Sequence, residues 1–521
     1  MNTAGTRQYS TTNGESQTVL QARQTRHRPS WGVVLAGAVA AAVFIALLIG
    51  LAKTRRPWND EAMFANPALN LAEKGFMGIT VYEGAGVLPE LNRYTYLIFP
   101  LNIVTLAGWY KLVGFSLMST RVLSMLWTFV LLGEIYYLIR TWSSSVSIAL
   151  LAVLLTAFDY NILVAGSFGR YEPMVAALGF GAYCCYLALR ERHPRWAILA
   201  SNTCVALAGM THPNGLMFFC GLVFLILYYD RKSFRAEWLG IAAIPYIAGA
   251  IAWGQYLLRS PHSAYEQLRV HSSGRIVLFH PLEAIIGEAQ RYMQAAGFSA
   301  HLAGHTGPIF LKSIPLAFYL VAIGAMITLP ELRRHRGYRV LLFLTAVHFG
   351  YQCFIEGTKF SFYLVHLIPL YAAILAIVAS HLWEAKRVLR PLVAAALALV
   401  MAISAGGVLL RIRLDTYDRL YMPAVNFIKQ HARPSDLVMA SCDFGFAYGF
   451  RPNLVDDIRI GYFTGRIPQF IVVEEIYQAN FDAWKAGAPD LYQFIERRLS
   501  EYDLVYDRNS YRIYRRKDSL L

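Results

Sequence analysis

Apolar residues in this chain come in long runs separated by short polar loops. From Trp31 to Ala52 there are 22 residues without a charge, enough for a helix to cross a hydrocarbon core of roughly 30 Å. Ten more such runs fall near residues 118–139, 145–165, 172–189, 196–211, 215–229, 238–257, 308–329, 340–356, 361–382 and 390–410. This pattern predicts an α-helical polytopic membrane protein with about eleven transmembrane helices. Residues 1–30 lack an apolar run, and half of them are Ser, Thr, Asn or Gln, with Arg7, Arg23, Arg26 and Arg28 among them. They read as a disordered cytoplasmic tail ahead of an uncleaved anchor.

The stretch Tyr94 to Phe115 is also apolar, but it contains Pro100, Gly108 and Lys111. Topology decides its place. If it does not cross, the inner segments hold 18 Lys and Arg, and the short outer loops at 166–172, 211–215 and 356–360 hold only Arg170 and Lys359. That asymmetry is what the positive-inside rule requires. If it crossed, every later loop would change sides and the rule would fail. It is therefore predicted as an interfacial or re-entrant helix pair, which leaves the N-terminus cytoplasmic and the C-terminus outside.

The predicted layout is a tail at 1–30, a multi-span domain at 31–411 and an outward-facing α/β domain at 412–521. The multi-span domain carries a first outer loop at 53–117 and a second at 258–306. Within the α/β domain the pattern predicts a helix near 421–431, strands at 437–440 and 470–473, and a helix near 489–500. A hairpin of 504–506 with 511–514 closes it about Arg508-Asn509-Ser510.

Composition agrees with a membrane protein. Hydrophobic residues make up 56% of the chain and charged residues 16%, against about a quarter charged in soluble domains, so a soluble globule is excluded. The formal charge of +15 is spread over short loops rather than gathered on one water-facing domain. Membrane lipids, not nucleic acid, are the expected partners. Five of the six cysteines lie in apolar runs and Cys442 stands alone in the polar C-terminal part, so neither a disulfide framework nor a Cys-rich zinc spacing is present.

Charges are costly inside hydrocarbon, so their depth is informative. Apart from Glu134, near the inner end of its span, they gather at outer ends: Asp60-Glu61, Asp159, Arg170, Glu172, Glu356 and Lys359, with His212 beside them. Together they predict an outward-facing polar cavity over an apolar bundle. Asp60, in Trp58-Asn59-Asp60-Glu61-Ala62-Met63-Phe64, could cap the helix that follows or complement its dipole, or it could take a proton from a hydroxyl. Arg170 could pair with Glu172 or Asp159, and Lys359 could be a snorkelling anchor; either could instead hold a phosphate. His212, in Thr211-His212-Pro213-Asn214-Gly215, either belongs to a helix-end turn or contacts substrate. His271, His280, His301 and His305 in the second outer loop match no ligand spacing. Asp443, Asp456-Asp457 and Glu474-Glu475 read as part of a solvated α/β cap that covers the cavity or holds the acceptor.

Several of these stretches resemble the GT-C membrane glycosyltransferases, and within them family 39, which includes the protein O-mannosyltransferases and the lipid A aminoarabinose transferase. The motif Trp58-Asn59-Asp60-Glu61, followed by a small-residue helix to Gly75, is similar to that family's first outer loop. Gly108–Gly114 with Ser119–Ser124 resembles its approach to the second span. Gly169-Arg170-Tyr171-Glu172-Pro173 resembles its arginine-containing outer loop, and Lys359–Pro369 its late span with Lys, Tyr and Pro. Where the family often carries Lys-Pro-Pro or His-Pro-Pro, this chain has Leu91–Tyr96, with Arg93 as the cation.

The resemblance implies transfer of a sugar from a polyprenyl-phosphate donor to a hydroxyl on a lipid, polysaccharide or protein acceptor, with inversion, at the outer face of a bacterial inner membrane. It gives Asp60 the role of general base, with Glu61 assisting by orienting the acceptor or contributing to a metal site. Arg170, Lys359 and Arg93 would hold the donor phosphate, while His212, Glu172 and Tyr363 would contact substrate. No cofactor is required, and a divalent cation is left open. The competing expectations are a polymerase or ligase of lipid-linked glycans, or a lipid or solute transporter.

Overall fold

The computed structural model describes residues 31–85, 88–273, 275, 280–296 and 309–517. The predicted tail at 1–30 lies outside these residues, as do His301, His305 and parts of the second outer loop. By its contacts the chain divides into two units, Met1–Ile45 and Ala46–Leu521. The sites described below lie in the second.

Among the described residues each predicted span segment is largely helical, with Ser361–His366 a 3-10 turn. Among the described residues five helices are long and apolar enough to cross a bilayer, or up to seven if each bent pair is one span. One bent pair is Val146–Ala157 with Tyr160–Gly166, turned by 66°. Asp159 makes the break: its carboxylate accepts the Asn161 N–H at 2.8 Å and caps the second piece. The other is Glu237–Leu257 with Pro261–Ser272, turned by 113°, where Pro261 starts the new helix because it supplies no N–H to continue the old one. Ile368–Ala385 is buried at every position from Ile368 to Ala379, as expected of a helix apolar on all sides at the bundle centre.

The segment predicted as the first outer loop, 53–117, holds the helices Asn59–Lys74 and Pro100–Val113. The stretch 94–115 therefore contains one helix rather than a pair. Pro100 sits in its first turn and Phe99 is extended, because the residue before a proline is pushed out of helical geometry. The second outer loop holds Pro261–Ser272 and Pro281–Ala296.

After the helices Arg390–Leu414 and Met422–His431 comes a five-stranded mixed sheet in the order β2-β1-β3-β5-β4. Its strands are β1 (Val438–Met439), β2 (Leu454–Val455), β3 (Phe470–Val473), β4 (Tyr502–Arg508) and β5 (Tyr511–Arg516). Strand β1 runs parallel to both β2 and β3, while β5 is antiparallel to β3 and β4. The β4–β5 turn puts Asn509 and Ser510 both at positive φ, the twist that suits a two-residue hairpin loop. Strand β2 and the helix Glu475–Gly487 are absent from the sequence pattern. The strand is two residues long, and the helix interleaves polar residues with its apolar ones.

The sheet packs on the first outer loop through residues far apart in the chain. Asp456 N–H donates to Val81 O at 2.8 Å, and Arg459 and Arg466 donate to the carbonyls of Ala85 and Glu83 at 2.9 and 2.8 Å.

Candidate active site

The site is built on the start of the helix Asn59–Lys74. Trp58 is extended and its N–H donates to Glu61 Oε2 at 3.1 Å, so Glu61 rather than Asp60 caps the helix from its third position. Glu61 and Arg121 are both fully buried. Arg121 donates Nε to Oε1 at 2.8 Å and Nη2 to Oε2 at 2.7 Å, a two-point fork. Its remaining donors close the end of the preceding helix on Ala52 O and Arg55 O, at 2.6 and 2.8 Å. Glu61 Oε1 also accepts the Gly169 N–H at 2.8 Å. The expected assisting role of Glu61 is corrected by this arrangement: buried, with both oxygens already bonded, its carboxylate offers no face to an acceptor or a metal.

Asp60, next in sequence, points elsewhere. Its side chain is 36% exposed and its Oδ2 accepts from Arg170 Nη1. Arg170 is buried and turns Nε and Nη2 onto Glu172, the latter at 2.6 Å. Its guanidinium lies 4.7 Å from the Phe362 ring and 5.4 Å from that of Trp58. Ser124 Oγ donates to Arg170 O at 2.9 Å and fixes the loop itself. Asp159, the alternative partner for Arg170, is instead a helix cap that accepts the Tyr319 hydroxyl at 2.9 Å.

His212 stacks on Tyr171 with ring centroids 4.6 Å apart. Its Nδ1 accepts the Asn214 N–H at 3.2 Å. An amide can only donate, so the ring proton sits on Nε2, which donates to the Tyr363 hydroxyl oxygen at 3.4 Å. Burial first, then the charges of Arg275, His366, His271 and Arg170, hold His212 well below the usual histidine pKa. It is a neutral ring at pH 7 and not the cation that a phosphate would call for. The turn reading holds beside it: Gly215 N–H donates to His212 O at 2.9 Å, and a Cβ at Gly215 would lie 2.4 Å from Gly209 N.

Asp60, Arg170, Glu172, His212 and Tyr363 thus come together. Lys359 belongs to an adjoining network. Its Nζ donates to Gln352 O and Cys353 O, both at 2.6 Å, and to Glu288 at 3.3 Å. Arg291, fully buried, bridges Glu288 and Glu356. Lys359 is therefore a held cation and not a snorkelling anchor. Arg275 enters beside it, its carbonyl accepting the Gly357 N–H at 2.7 Å. Arg93 is exposed, and among the described residues no contact joins it to Asp60 or Arg170.

The acids of the C-terminal part correct the reading of a solvated cap. Asp443, Asp456, Asp457 and Glu474 are all buried. Asp456 accepts from Cys442 N at 2.9 Å, Tyr477 OH at 2.8 Å and Asn59 Nδ2 at 3.4 Å, and Cys442 Sγ donates to Asn59 O at 3.3 Å. Burial raises the pKa of Asp456 to about 6 and of Glu474 to about 7. Arg56 donates to Glu475 at 2.5 Å. Asp456 thus sits beside Asn59, the residue that precedes Asp60. The sequence signal for these acids was their spacing about two short strands.

Among the described residues no group of three or more His, Cys, Asp or Glu is gathered as a metal site. An apolar groove of about 460 Å³ opens between the helices Pro194–Thr211, Gly215–Asp230 and Glu237–Leu257, with Phe99, Gly209, Tyr246 and Trp253 in its wall.

This architecture is the GT-C fold. It is similar to the crystal structure of ArnT from Cupriavidus metallidurans bound to undecaprenyl phosphate, at a TM-score of 0.59 and 15% identity over 94% of this chain and 99% of that one. The apo structure of the same protein gives a TM-score of 0.58 and 16% identity over 94% and 98%. The Archaeoglobus fulgidus oligosaccharyltransferase in its apo form gives 0.49 and 11%, over 89% of this chain and 69% of that one. No family model matches the sequence, and no curated protein matches it.

Proposed function

We propose that this chain is a membrane glycosyltransferase that moves a sugar from a polyprenyl-phosphate donor to a hydroxyl acceptor, with Asp60 as general base. The observation that carries this reading is the chain Asp60–Arg170–Glu172: a partly exposed carboxylate aimed by a buried arginine, which is itself fixed by a buried acid. Such support orients a reacting group. Asp60 Oδ2 rests on Arg170, and Oδ1 takes the acceptor proton as the acceptor oxygen bonds to the anomeric carbon. The carbon–oxygen bond to the polyprenyl phosphate breaks, and the phosphate leaves with the electron pair. A single displacement of this kind inverts the anomeric centre.

Charge that develops on the leaving phosphate is met by Arg170, with Arg275 and Lys359 from the adjoining network. The apolar groove suits the lipid tail of the donor. ArnT, which has the same fold, was solved with undecaprenyl phosphate, and this supports a donor on a polyprenyl carrier. We place the reaction at the outer face of a bacterial inner membrane, with the N-terminus cytoplasmic and the 412–521 domain periplasmic. The acceptor is a lipid, a polysaccharide or a protein.

The test is transfer of labelled sugar from a panel of polyprenyl-phosphate sugars to envelope extract, with native protein and Asp60→Asn side by side. Turnover by the native protein that falls at least about a thousandfold in a folded variant is the expected result. Equal turnover by both would remove Asp60 from the mechanism.

A further inference from the structure

Between β2 and β3 the chain makes a loop, 456–469, whose root touches the candidate site. Asp456 meets Asn59 and Val81. Asp457, the next residue, is buried and accepts the N–H of Arg459 at 3.1 Å and that of Gly461 at 2.9 Å. The side chains of Arg459 and Arg466 tie the same loop to Ala85 O and Glu83 O. Its backbone is tightly set. Ile460 sits at φ +51, where a β-branched residue is seldom found, and a Cβ at Gly461, itself at φ +83, would lie 2.2 Å from Arg466 O. Such strain persists only where the surroundings impose it.

What this frame presents outward is aromatic. Phe463 is 64% exposed, and Tyr462 and Ile467 are exposed beside it. The Tyr462 ring stands at 82° to that of Phe463 and at 76° to that of Phe494, with centroids 4.8 and 5.1 Å apart. The Arg459 guanidinium lies 4.7 Å from the Phe463 centroid and Arg466 is partly exposed. An exposed apolar patch rimmed by polar groups marks a binding surface, and rings already held in place lose little freedom when a ligand arrives. The occupant follows from the chemistry of that surface. The face of an aromatic ring is negative and attracts the C–H groups on the face of a pyranose, while guanidinium N–H groups can donate only to oxygens such as those around its rim. An acyl chain would match the rings alone.

We propose that Tyr462 and Phe463, with Arg459 and Arg466 at their rim, form a platform for a carbohydrate chain, and that this chain is the acceptor. The second half of the statement rests on the transferase reading: the loop begins at Asp456, which meets the neighbour of Asp60. The acceptor class is thereby narrowed to a glycan.

The test uses the full chain in lipid nanodiscs, titrated by calorimetry with mannohexaose and with hexagalacturonic acid. Native protein should bind at least one hexamer saturably. Phe463→Ala and Tyr462→Ala should each weaken that binding about tenfold or more, and Phe463→Trp should retain it. Tighter binding of the uronate hexamer, lost in Arg466→Gln, assigns the arginine rim to the carboxylates of an acidic glycan. Absence of saturable binding of both hexamers overturns the proposal, as does undiminished affinity in Phe463→Ala at an unchanged melting temperature. So does quenching of the indole added in Phe463→Trp by brominated phosphatidylcholine, which would put that ring in the bilayer. Binding is read without turnover, so the two readings fail separately. Equal turnover by native protein and Asp60→Asn would remove the base and the acceptor role and leave a glycan platform, whereas unchanged hexamer binding in the ring variants would remove the platform and leave the transferase.

Discussion

Glu61 and Arg121 form a fully buried, two-point ion pair at 2.7 and 2.8 Å, and this pair sets the direction of the exposed acid beside it. Successive residues on a helix point about 100° apart, so once Glu61 is locked inward Asp60 is turned toward Arg170. Glu61→Gln should strand the Arg121 charge and cost about 3–5 kcal/mol. Glu61→Leu combined with Arg121→Met should recover much of the loss. Melting temperatures of the three variants in detergent check both statements.

Gly169 lies where a side chain would strike that pair. A Cβ there would come within 2.6 Å of Thr120 Cγ2 and 3.1 Å of Glu61 Oε1. Gly169→Ala should destabilise the protein by about 1–3 kcal/mol and lower transfer. Thr120→Ser removes the obstructing methyl and keeps the hydroxyl that meets Tyr110 OH at 2.6 Å. The double variant should therefore regain part of both, read by melting and by turnover.

On the proposed reading, Glu172 acts through Arg170, which it holds, and is a positioning residue. Glu172→Gln should lower kcat about 10–100-fold, as loss of an outer support does, with KM for the donor little changed. A rise in KM with kcat constant would mean that Glu172 binds substrate directly.

The raised carboxyls of the C-terminal part predict a pH response. Asp456 and Glu474 hold protons in the folded state up to about pH 6 and 7, well above ordinary carboxyls near pH 4. The folded state therefore binds more protons than the unfolded one between these values, and stability falls as pH rises through the window from about 4 to 7. Each group contributes at most about 1.4 kcal/mol per pH unit. Melting temperature should drop from pH 5 to pH 7.5, and Asp456→Asn should flatten the slope.

Gly209 lines the apolar groove, and a Cβ added there would meet nothing within 4 Å. Gly209→Leu should fill the groove without straining the helix. KM should rise for long-chain donors and change less for a donor with a short isoprenoid, in a transfer assay that varies carrier length.

The helical bundle was legible in the sequence because a run of twenty apolar residues has few ways to bury its backbone in lipid. Asp60 and Arg170 stand out in the sequence as charges beside apolar runs, and the structure pairs them. Their division of labour with Glu61 could not be read there, since two adjacent acids look alike until Arg121, sixty positions on, selects one of them. Pro100 was seen in the sequence, yet its power to start the helix at 100 was outweighed by the apolar run around it. The burial of Asp443, Asp456 and Glu474 was hidden for a related reason. Acids in a polar stretch look solvated unless it is known, as for Asp456, that Asn59 and Val81 pack on them.

That packing has a consequence for how the protein is made. Asn59 hydrogen-bonds with Asp456, 397 positions later, and Val81 O receives the Asp456 N–H. The ribosome therefore delivers the helix Asn59–Lys74 well before the sheet that covers its start. A nascent chain that has already made the helix Arg390–Leu414 still lacks the partners that cover Asn59. A chain cut short before Val438 would lack the sheet that covers Asn59, so the helix that carries Asp60 would be left without that cover.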